Sequence, residues 1–182
     1  LEFIVGGPHS DGLGESVRKA MNQPAWRAVT GTVTDSNAAP MAGAWVHALK
    51  ADNSYLGRTL TNARGEFTIH LPSEPAQLQA SKYSMPPSAK KPVLATDNVV
   101  NLQIATAGVL SIVATDKGSG AALPVRVQVI PMTPPTLLPP SYGVRDEVAG
   151  RILQEFAVSG TATLSVPPGK HRVIVSHGYE WD

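Results

Sequence analysis

The sequence predicts an all-β protein made of two small antiparallel β-sandwiches of Greek-key type in tandem, preceded by a short N-terminal helix. Three observations support this prediction. Apolar and polar residues alternate with a period of two in many short segments from residue 28 onward. The 16 glycines and 16 prolines supply the turns that many short strands require. A chain of 182 residues is long enough for two small domains, and a single larger sandwich is the alternative.

The N-terminal segment, residues 1–27, has the one stretch of helical periodicity. A helix is predicted over residues 14–21, and Asn22 and Pro24 end it. The glycine-rich stretch before it, which contains His9-Ser10-Asp11, is interpreted as a flexible polar loop.

The first predicted sandwich covers residues 28–106. Val29 and Val33 share one side of the first strand, and threonines line the other. The turn at Asn62–Gly65 supplies residues that tolerate positive φ, as a tight hairpin requires. The prolines of residues 85–92 exclude a central strand there. Strands are predicted at about 28–34, 44–49, 67–71, 76–82 and 100–104.

The second predicted sandwich covers residues 107–182. Three valines alternate with polar residues over 125–129, and residues 131–140 form a proline-rich loop. Pro168 and Gly169 occupy the two central positions that a type II turn prefers, which predicts a hairpin between the last two strands. The strands are predicted at about 110–114, 125–130, 151–158, 162–166 and 172–175.

Composition argues against several functions. A formal net charge of +1 gives no concentrated basic face for nucleic acid. The absence of cysteine removes disulfides, thiolate metal sites and cysteine nucleophiles. No apolar run approaches the ~20 residues of a membrane span. Leu1–Val5 is too short for a signal-peptide core. Either a targeting segment has been removed or the sequence is a piece of a longer chain, and the absence of an initiating Met favours the second alternative.

The histidines do not form a recognisable catalytic or metal site. His177 and Glu180 match a bare His-x-x-Glu pattern, but no downstream histidine follows. His47 and His70 lie opposite the apolar sets of their strands, so they could meet across the sheet, although half-exposed surface histidines are the simpler interpretation. The run His9-Ser10-Asp11 has the residue types of a nucleophilic triad without its geometry. We therefore expect no catalytic residue, no metal and no cofactor.

Two groups of residues suggest a binding or interface surface. Trp45, His47 and Leu49 share a strand face that alternation predicts to be outward. Large apolar groups there indicate a face that packs against the second sandwich or the N-terminal helix, so Trp45 is predicted to be more than half buried. The alternative is an aromatic platform for a sugar or peptide, with Tyr55 or Tyr83 nearby. Tyr179 and Trp181 form a second aromatic group.

Three spaced sequence pieces stand out in the first half: Gly31–Asp35, Pro40 with Gly43–Val46, and Thr61 with Gly65–Phe67. Together they resemble the carboxypeptidase regulatory-like domain, a transthyretin-like β-sandwich, over about residues 28–105. Two departures are Asn62–Arg64, where such domains carry an acidic residue before the Gly, and Pro72–Pro75, where a Pro-Gly turn is common.

In the second half, Leu123–Val129 and Val166–Val173 run into the segment Ser176–Trp181. These pieces are similar to the β-sandwich region that precedes the catalytic domain in some bacterial metallohydrolases of the polymerase-and-histidinol-phosphatase superfamily. One departure is His177, where that pattern has Arg. The resemblance implies a non-catalytic portion of a larger exported enzyme whose hydrolase domain begins beyond Asp182.

The sequence therefore predicts a non-catalytic accessory or structural region of a larger bacterial protein, periplasmic or secreted. Its expected partners are neighbouring domains of the same parent chain, with no nucleic acid and no membrane span. The alternative is a carbohydrate- or peptide-binding module that uses the sheet face around Trp45. A metal-binding His-x-His motif soon after Asp182 would favour the first hypothesis.

Overall fold

The structure, a computed structural model, describes residues 5–7, 9–83, 85–133, 138–139, 142 and 153–177. Strands dominate it, and the single helix found in this part of the chain lies near the N-terminus. The predicted fold class, an all-β sandwich with a short N-terminal helix, is confirmed. Those residues contain no helix long and apolar enough to cross a membrane.

The elements follow one another along the chain without long helical insertions. The first part contains α1 (His9–Ala20), β1 (Arg27–Thr34), β2 (Trp45–Lys50), β3 (Tyr55–Leu60), β4 (Glu66–Leu71), β5 (Ala76–Ser81), β6 (Lys91–Val93) and β7 (Leu102–Gln103). The second part contains β8 (Gly108–Val113), β9 (Val125–Pro131), β10 (Leu153–Ala157), β11 (Thr161–Val166) and β12 (His171–Ser176).

The chain divides into two compact units. The first comprises Leu1–Lys82, Pro86–Ala105 and Leu138–Arg145, and the second comprises Tyr83–Met85, Thr106–Leu137 and Asp146–Asp182, each so far as its residues are described. The stretch that begins at Leu138 thus belongs to the first unit although β9, before it, and β10, after it, belong to the second.

The first unit has two sheets, with strand orders β4-β1-β7 and β3-β2-β5-β6. Alternate residues of these strands form its buried core, as a period of two requires. Val46 of β2 pairs with Ala80 of β5, and all three of Val29, Val46 and Ile69 are fully buried. Most pairings are antiparallel, but β1 pairs with β7 in parallel. This pairing departs from the predicted antiparallel sandwich.

The second unit has a sheet of order β10-β9-β12 and a two-stranded sheet of β11 and β8. Its core is formed by side chains from both sheets. These buried residues are Val125, Val127, Val129, Ala157, Ala162 and Val166. The predicted alternation of valines over 125–129 is therefore the pattern that fills this core.

The helix begins at His9, five positions before the predicted start, and the interpretation of His9-Ser10-Asp11 as a flexible loop was wrong. Asp11 lies in the first turn of α1, where a carboxylate is favoured by the helix dipole. Its Oδ1 accepts a hydrogen bond from the backbone N–H of His70 at 2.9 Å. A partner on β4, distant in sequence, therefore stabilises a turn that local glycine content disfavours.

Both predicted hairpins were wrong, although the turn at Asn62–Gly65 forms, with a bond of 3.0 Å from Gly65 N–H to the Asn62 carbonyl. Gly65 adopts the expected positive φ of 73°, yet β3 pairs with β2 and β4 pairs with β1. Likewise β11 pairs with β8 and β12 pairs with β9. Each turn carries the chain from one sheet to the other, because turn chemistry sets the local bend and not the strand's partner.

Two strands were not predicted, β3 and the short edge strand β6. The sequence of β3, Tyr-Leu-Gly-Arg-Thr-Leu, places a charge and a glycine among its apolar residues and so lacks clean alternation. Its Gly57 is buried, and a Cβ there would lie 3.6 Å from Ser10 Oγ of α1. That distance is an ordinary van der Waals contact, so the packing of α1 on β3 does not require a glycine at this position.

Candidate functional site on the outer face of β2

The residues singled out from the sequence lie on the face of β2 that points away from the core of the first unit. Trp45, His47 and Leu49 alternate with the core residues of the strand, as predicted. In register, His47 lies between Arg58 of β3 and Gln79 of β5. We call the side chains of β2, β3 and β5 on this side the His47 face.

His47 is fully buried, so the prediction of a half-exposed surface histidine was wrong. Its Nδ1 lies 3.1 Å from the Tyr55 hydroxyl and its Nε2 lies 2.9 Å from Ser81 Oγ. A neutral imidazole has one donor and one acceptor nitrogen, so one hydroxyl donates to the ring and the other accepts from it. Both nitrogens are therefore used inside the protein.

The surroundings of His47 favour its neutral form. Burial is the larger cause and the positive charge of Arg58 the smaller; together they lower the pKa of His47 to about 4. Burial also raises the pKa of Tyr55 to about 12, against the opposing charge of Arg58. At neutral pH this part of the face consists of an uncharged imidazole and an uncharged phenol.

The cover over His47 comes from far along the chain. Leu138 and Tyr142 are both buried, and they pack with Leu49 and Tyr55. The Tyr142 ring stacks on Tyr55 with 5.1 Å between centroids, and its centroid lies 4.9 Å from that of His47. We call Leu138, Pro139 and Tyr142 the strap.

Three polar contacts hold Tyr142 in place or organise its neighbours. Its hydroxyl donates to Gln79 Oε1 at 3.2 Å, and its backbone carbonyl accepts from Arg58 Nη1 at 3.2 Å. Gln79 in turn donates from Nε2 to the Ser88 carbonyl at 2.8 Å. Burial raises the pKa of the Tyr142 hydroxyl, so it remains a donor.

Trp45 is partly buried, with more than half of its surface removed from solvent, as predicted. The Arg58 guanidinium carbon lies 4.4 Å from the centre of a Trp45 ring, within the range of a cation–π contact. The His9 ring of α1 meets Trp45 edge to face at 5.2 Å. The indole is thus engaged by α1 and β3 and is not a bare platform.

His47 and His70 do not meet across a sheet, contrary to one of the predicted arrangements. His70 lies on β4, opposite Ala28 of β1, whereas His47 belongs to the other sheet. Instead His70 Nδ1 lies 2.8 Å from Asp11 Oδ2, so this histidine anchors α1.

The remaining predicted positions add no site to the described part of the chain. His177 Nδ1 contacts the Pro124 carbonyl. Tyr179, Glu180 and Trp181 lie outside the described residues. Among those that are described, no three His, Cys, Asp or Glu side chains gather to hold a metal ion.

Sequence reasoning missed most of the partners that surround His47. Tyr55 was named as a neighbour of the face and does lie there, whereas Tyr83 is 60% exposed and belongs to the second unit. Arg58 was missed together with the strand that carries it. Nothing in the sequence near Tyr142 signals its burial, because its contacts are 63 and 84 residues distant from it in sequence.

Comparison with known proteins supports the fold of the first unit. Residues 28–107 match the family model of the carboxypeptidase regulatory-like domain. The resemblance stated for this half is thereby confirmed, whereas the resemblance of the second half to metallohydrolases stays a prediction. No curated protein sequence matches the chain significantly.

Several solved structures are similar to the chain at low sequence identity, and one of them reaches a TM-score of 0.50. A mutant of the shaft pilin SpaA from Lactobacillus rhamnosus GG has a TM-score of 0.50 and 11% identity, covering 86% of this chain and 89% of that one. A streptococcal ancillary pilin has a TM-score of 0.40 and 11% identity, covering 84% and 59%. The Bacillus anthracis TIE protein has a TM-score of 0.39 and 14% identity, and the match covers 82% of this chain but only 28% of that protein. At 11% identity, the likeness to the shaft pilin concerns the fold alone.

Proposed function

We propose that this chain is a non-catalytic structural or accessory region, which positions or stabilises neighbouring domains of the same parent protein. One observation carries the proposal: the polar groups of the His47 face are paired with one another inside the protein. His47, the group best suited to proton transfer, is fully buried and has both ring nitrogens engaged. General acid–base catalysis needs a group within reach of a substrate.

The comparisons support the same role. A carboxypeptidase regulatory-like match and a fold shared with a shaft pilin both favour a structural module over an enzyme. We further propose that the parent protein is exported, to the periplasm or beyond the cell. The sequence similarity of Leu123–Val129 and Val166–Val173 favours a metallohydrolase as the neighbouring domain.

A carbohydrate- or peptide-binding role for Trp45 is the weaker candidate. The Arg58 guanidinium lies over the indole and His9 meets it edge to face. A sugar stacking on this ring would have to displace at least one of them. Binding on a glycan array that disappears in Trp45→Ala, with the fold intact, would favour this second role.

The proposal is tested on the parent protein. The first step is to determine the gene sequence that follows the codon for Asp182. We expect it to encode a His-x-His motif shortly downstream. The parent is then compared with a form that lacks residues 28–182. Without this region we expect a lower yield of folded and exported protein. The kcat/KM of each folded molecule should be unchanged. A stop codon at that point, or turnover by the 182-residue chain itself, would contradict the proposal.

A further inference from the structure

We propose that the His47 face contains a tyrosine-recognition socket, a binding site for a peptide segment that presents a phenol, and that the strap is this chain's own ligand for it. The socket is defined by Leu49, Tyr55, Arg58, Gln79 and His47. This inference rests on the geometry around Tyr142 and does not depend on the proposed function.

The socket first selects an aromatic ring. Tyr55 stacks on the Tyr142 ring with an angle of 28° between their planes. The His47 ring lies at 37° to it and at 4.9 Å between centroids. Offset aromatic arrangements at these distances are favourable beyond the area they bury. Because Tyr55 and Ser81 engage both nitrogens of His47, the imidazole is held in one orientation.

The socket then distinguishes a phenol from a phenyl group. The Gln79 amide is oriented by its donation from Nε2 to the Ser88 carbonyl, so Oε1 is the atom that faces Tyr142. An acceptor in that position requires a donor, and Gln79 is only 8% exposed. A phenylalanine would leave this buried oxygen without its present partner, which has a cost in binding.

Recognition extends to the backbone and to a second side chain. Arg58 donates to the Tyr142 carbonyl at 3.2 Å, and its guanidinium is braced by the Trp45 ring. Leu138 packs into the same cluster as Leu49. The socket therefore contacts a ligand at three groups: a phenol, the backbone carbonyl of the same residue, and a leucine four positions before it.

The described residues of the strap bind as a peptide ligand does and not as a strand. Leu138, Pro139 and Tyr142 belong to no strand, and the turn bond from Tyr142 N–H to the Pro139 carbonyl, 3.0 Å long, lies within the strap. Their attachment to the first unit consists of side-chain packing, the phenol bond and the Arg58 bond. Such contacts can be reproduced by a separate segment of the same sequence.

The test uses the full chain with Tyr142→Ala, titrated with a synthetic peptide of residues 137–143, blocked at both ends. Binding is followed by the His47 imidazole resonances and by Trp45 fluorescence. We expect saturable binding, and roughly five- to tenfold weaker binding by the same peptide with Phe in place of Tyr, since one neutral hydrogen bond is lost. The wild-type chain, with its socket occupied, should bind the peptide at least about tenfold more weakly than the variant does.

Three results would overturn the proposal. They are a folded Tyr142→Ala chain that does not bind the peptide, equal affinity for the Tyr and Phe peptides, and equal binding by the wild-type chain. Should Tyr142→Ala not fold, Tyr142→Phe keeps the ring and weakens the resident ligand. That variant should then bind the Tyr peptide more tightly than the wild type does, and an unchanged affinity would count against the socket.

Discussion

At the scale of single residues, His47 is the group whose environment has the clearest measurable effect. Its pKa is about 4 in the folded protein, because of burial and then of Arg58, against 6.5 for an ordinary histidine. The unfolded chain therefore binds more protons between pH 6.5 and 4, and the free energy of unfolding falls as pH decreases through that window. Over the whole window, the titration of His47 changes the free energy of unfolding by about 3 kcal/mol.

Replacing this histidine should remove that part of the pH dependence. We expect His47→Gln to lose less stability than the wild type between pH 7 and pH 4.5, as measured by urea unfolding at each pH. Carboxylates titrate in both proteins, so the difference between them isolates His47. Parallel stability profiles would show that the imidazole has an ordinary pKa in the folded chain.

Gly31 is a second residue with a specific physical role. A Cβ at this position would lie 1.9 Å from the Val100 carbonyl oxygen, a backbone atom that cannot easily move aside. The glycine thus allows the close approach that brings β7 into parallel pairing with β1. We expect Gly31→Ala to lower the free energy of unfolding by more than about 2 kcal/mol, measured by chemical denaturation.

Gly14 provides the matched control for that substitution. It lies inside α1, where its added Cβ would meet only the flexible end of Arg18 at 3.4 Å. Alanine favours a helix interior over glycine by roughly 0.5–1 kcal/mol, so Gly14→Ala should be neutral or stabilising. Similar losses from both substitutions would contradict the role assigned to Gly31.

The face of each β2 residue could be predicted from the sequence, but its covering could not. Alternation correctly placed Trp45, His47 and Leu49 on one side of the strand. It contains no information about which distant segment packs against that side. The burial of Trp45 was expected because it is large and apolar, whereas the burial of His47 depends on Tyr142, which no local pattern connects to it.

At the scale of elements, a two-point contact joins α1 to β4. Asp11 accepts from the backbone N–H of His70 at 2.9 Å, and its other oxygen lies 2.8 Å from His70 Nδ1. We expect Asp11→Asn to lower the free energy of unfolding by about 1–2 kcal/mol, because it removes a carboxylate from a buried hydrogen-bonded position. Amide hydrogen exchange should accelerate in α1 and at His70.

Glu15→Gln is the control for this prediction. Glu15 pairs with Arg18 three positions along the same helix and does not connect α1 to a strand. Pairs of this type contribute only about 0.2–0.5 kcal/mol. If Glu15→Gln accelerated exchange at His70 as much as Asp11→Asn does, the Asp11–His70 contact would not be what holds α1 against β4.

The start of α1 and the strand pairings show where element prediction fails. Local glycine content disfavoured a helix at residues 9–13, and the compensating bond comes from β4. The turn at Asn62–Gly65 was recognised from residues that tolerate positive φ. The partners of the flanking strands depend on which sheet buries their apolar faces. That depends on the packing of all strands of the unit and not on the turn.

At the scale of the whole molecule, each unit has its own buried core. Ile69 is fully buried in the first and Val127 in the second. We expect Ile69→Ala to destabilise the first unit by about 3 kcal/mol and Val127→Ala the second by about 2 kcal/mol. Hydrogen exchange followed by mass spectrometry should show lost protection mainly in the unit that carries the change, and uniform loss in both would mean that the units unfold together.

The placement of Tyr142 also imposes an order on biosynthesis. The strands of the first unit are complete once Gln103 has been made, but the socket that receives Tyr142 remains open at that stage. Leu49 and Tyr55 then lack their later neighbours until the ribosome has added β8, β9 and the residues beyond them. One sheet of the nascent first unit, β3-β2-β5-β6, therefore has an unfinished face. The residues that complete this face are translated between β9 and β10 of the second unit.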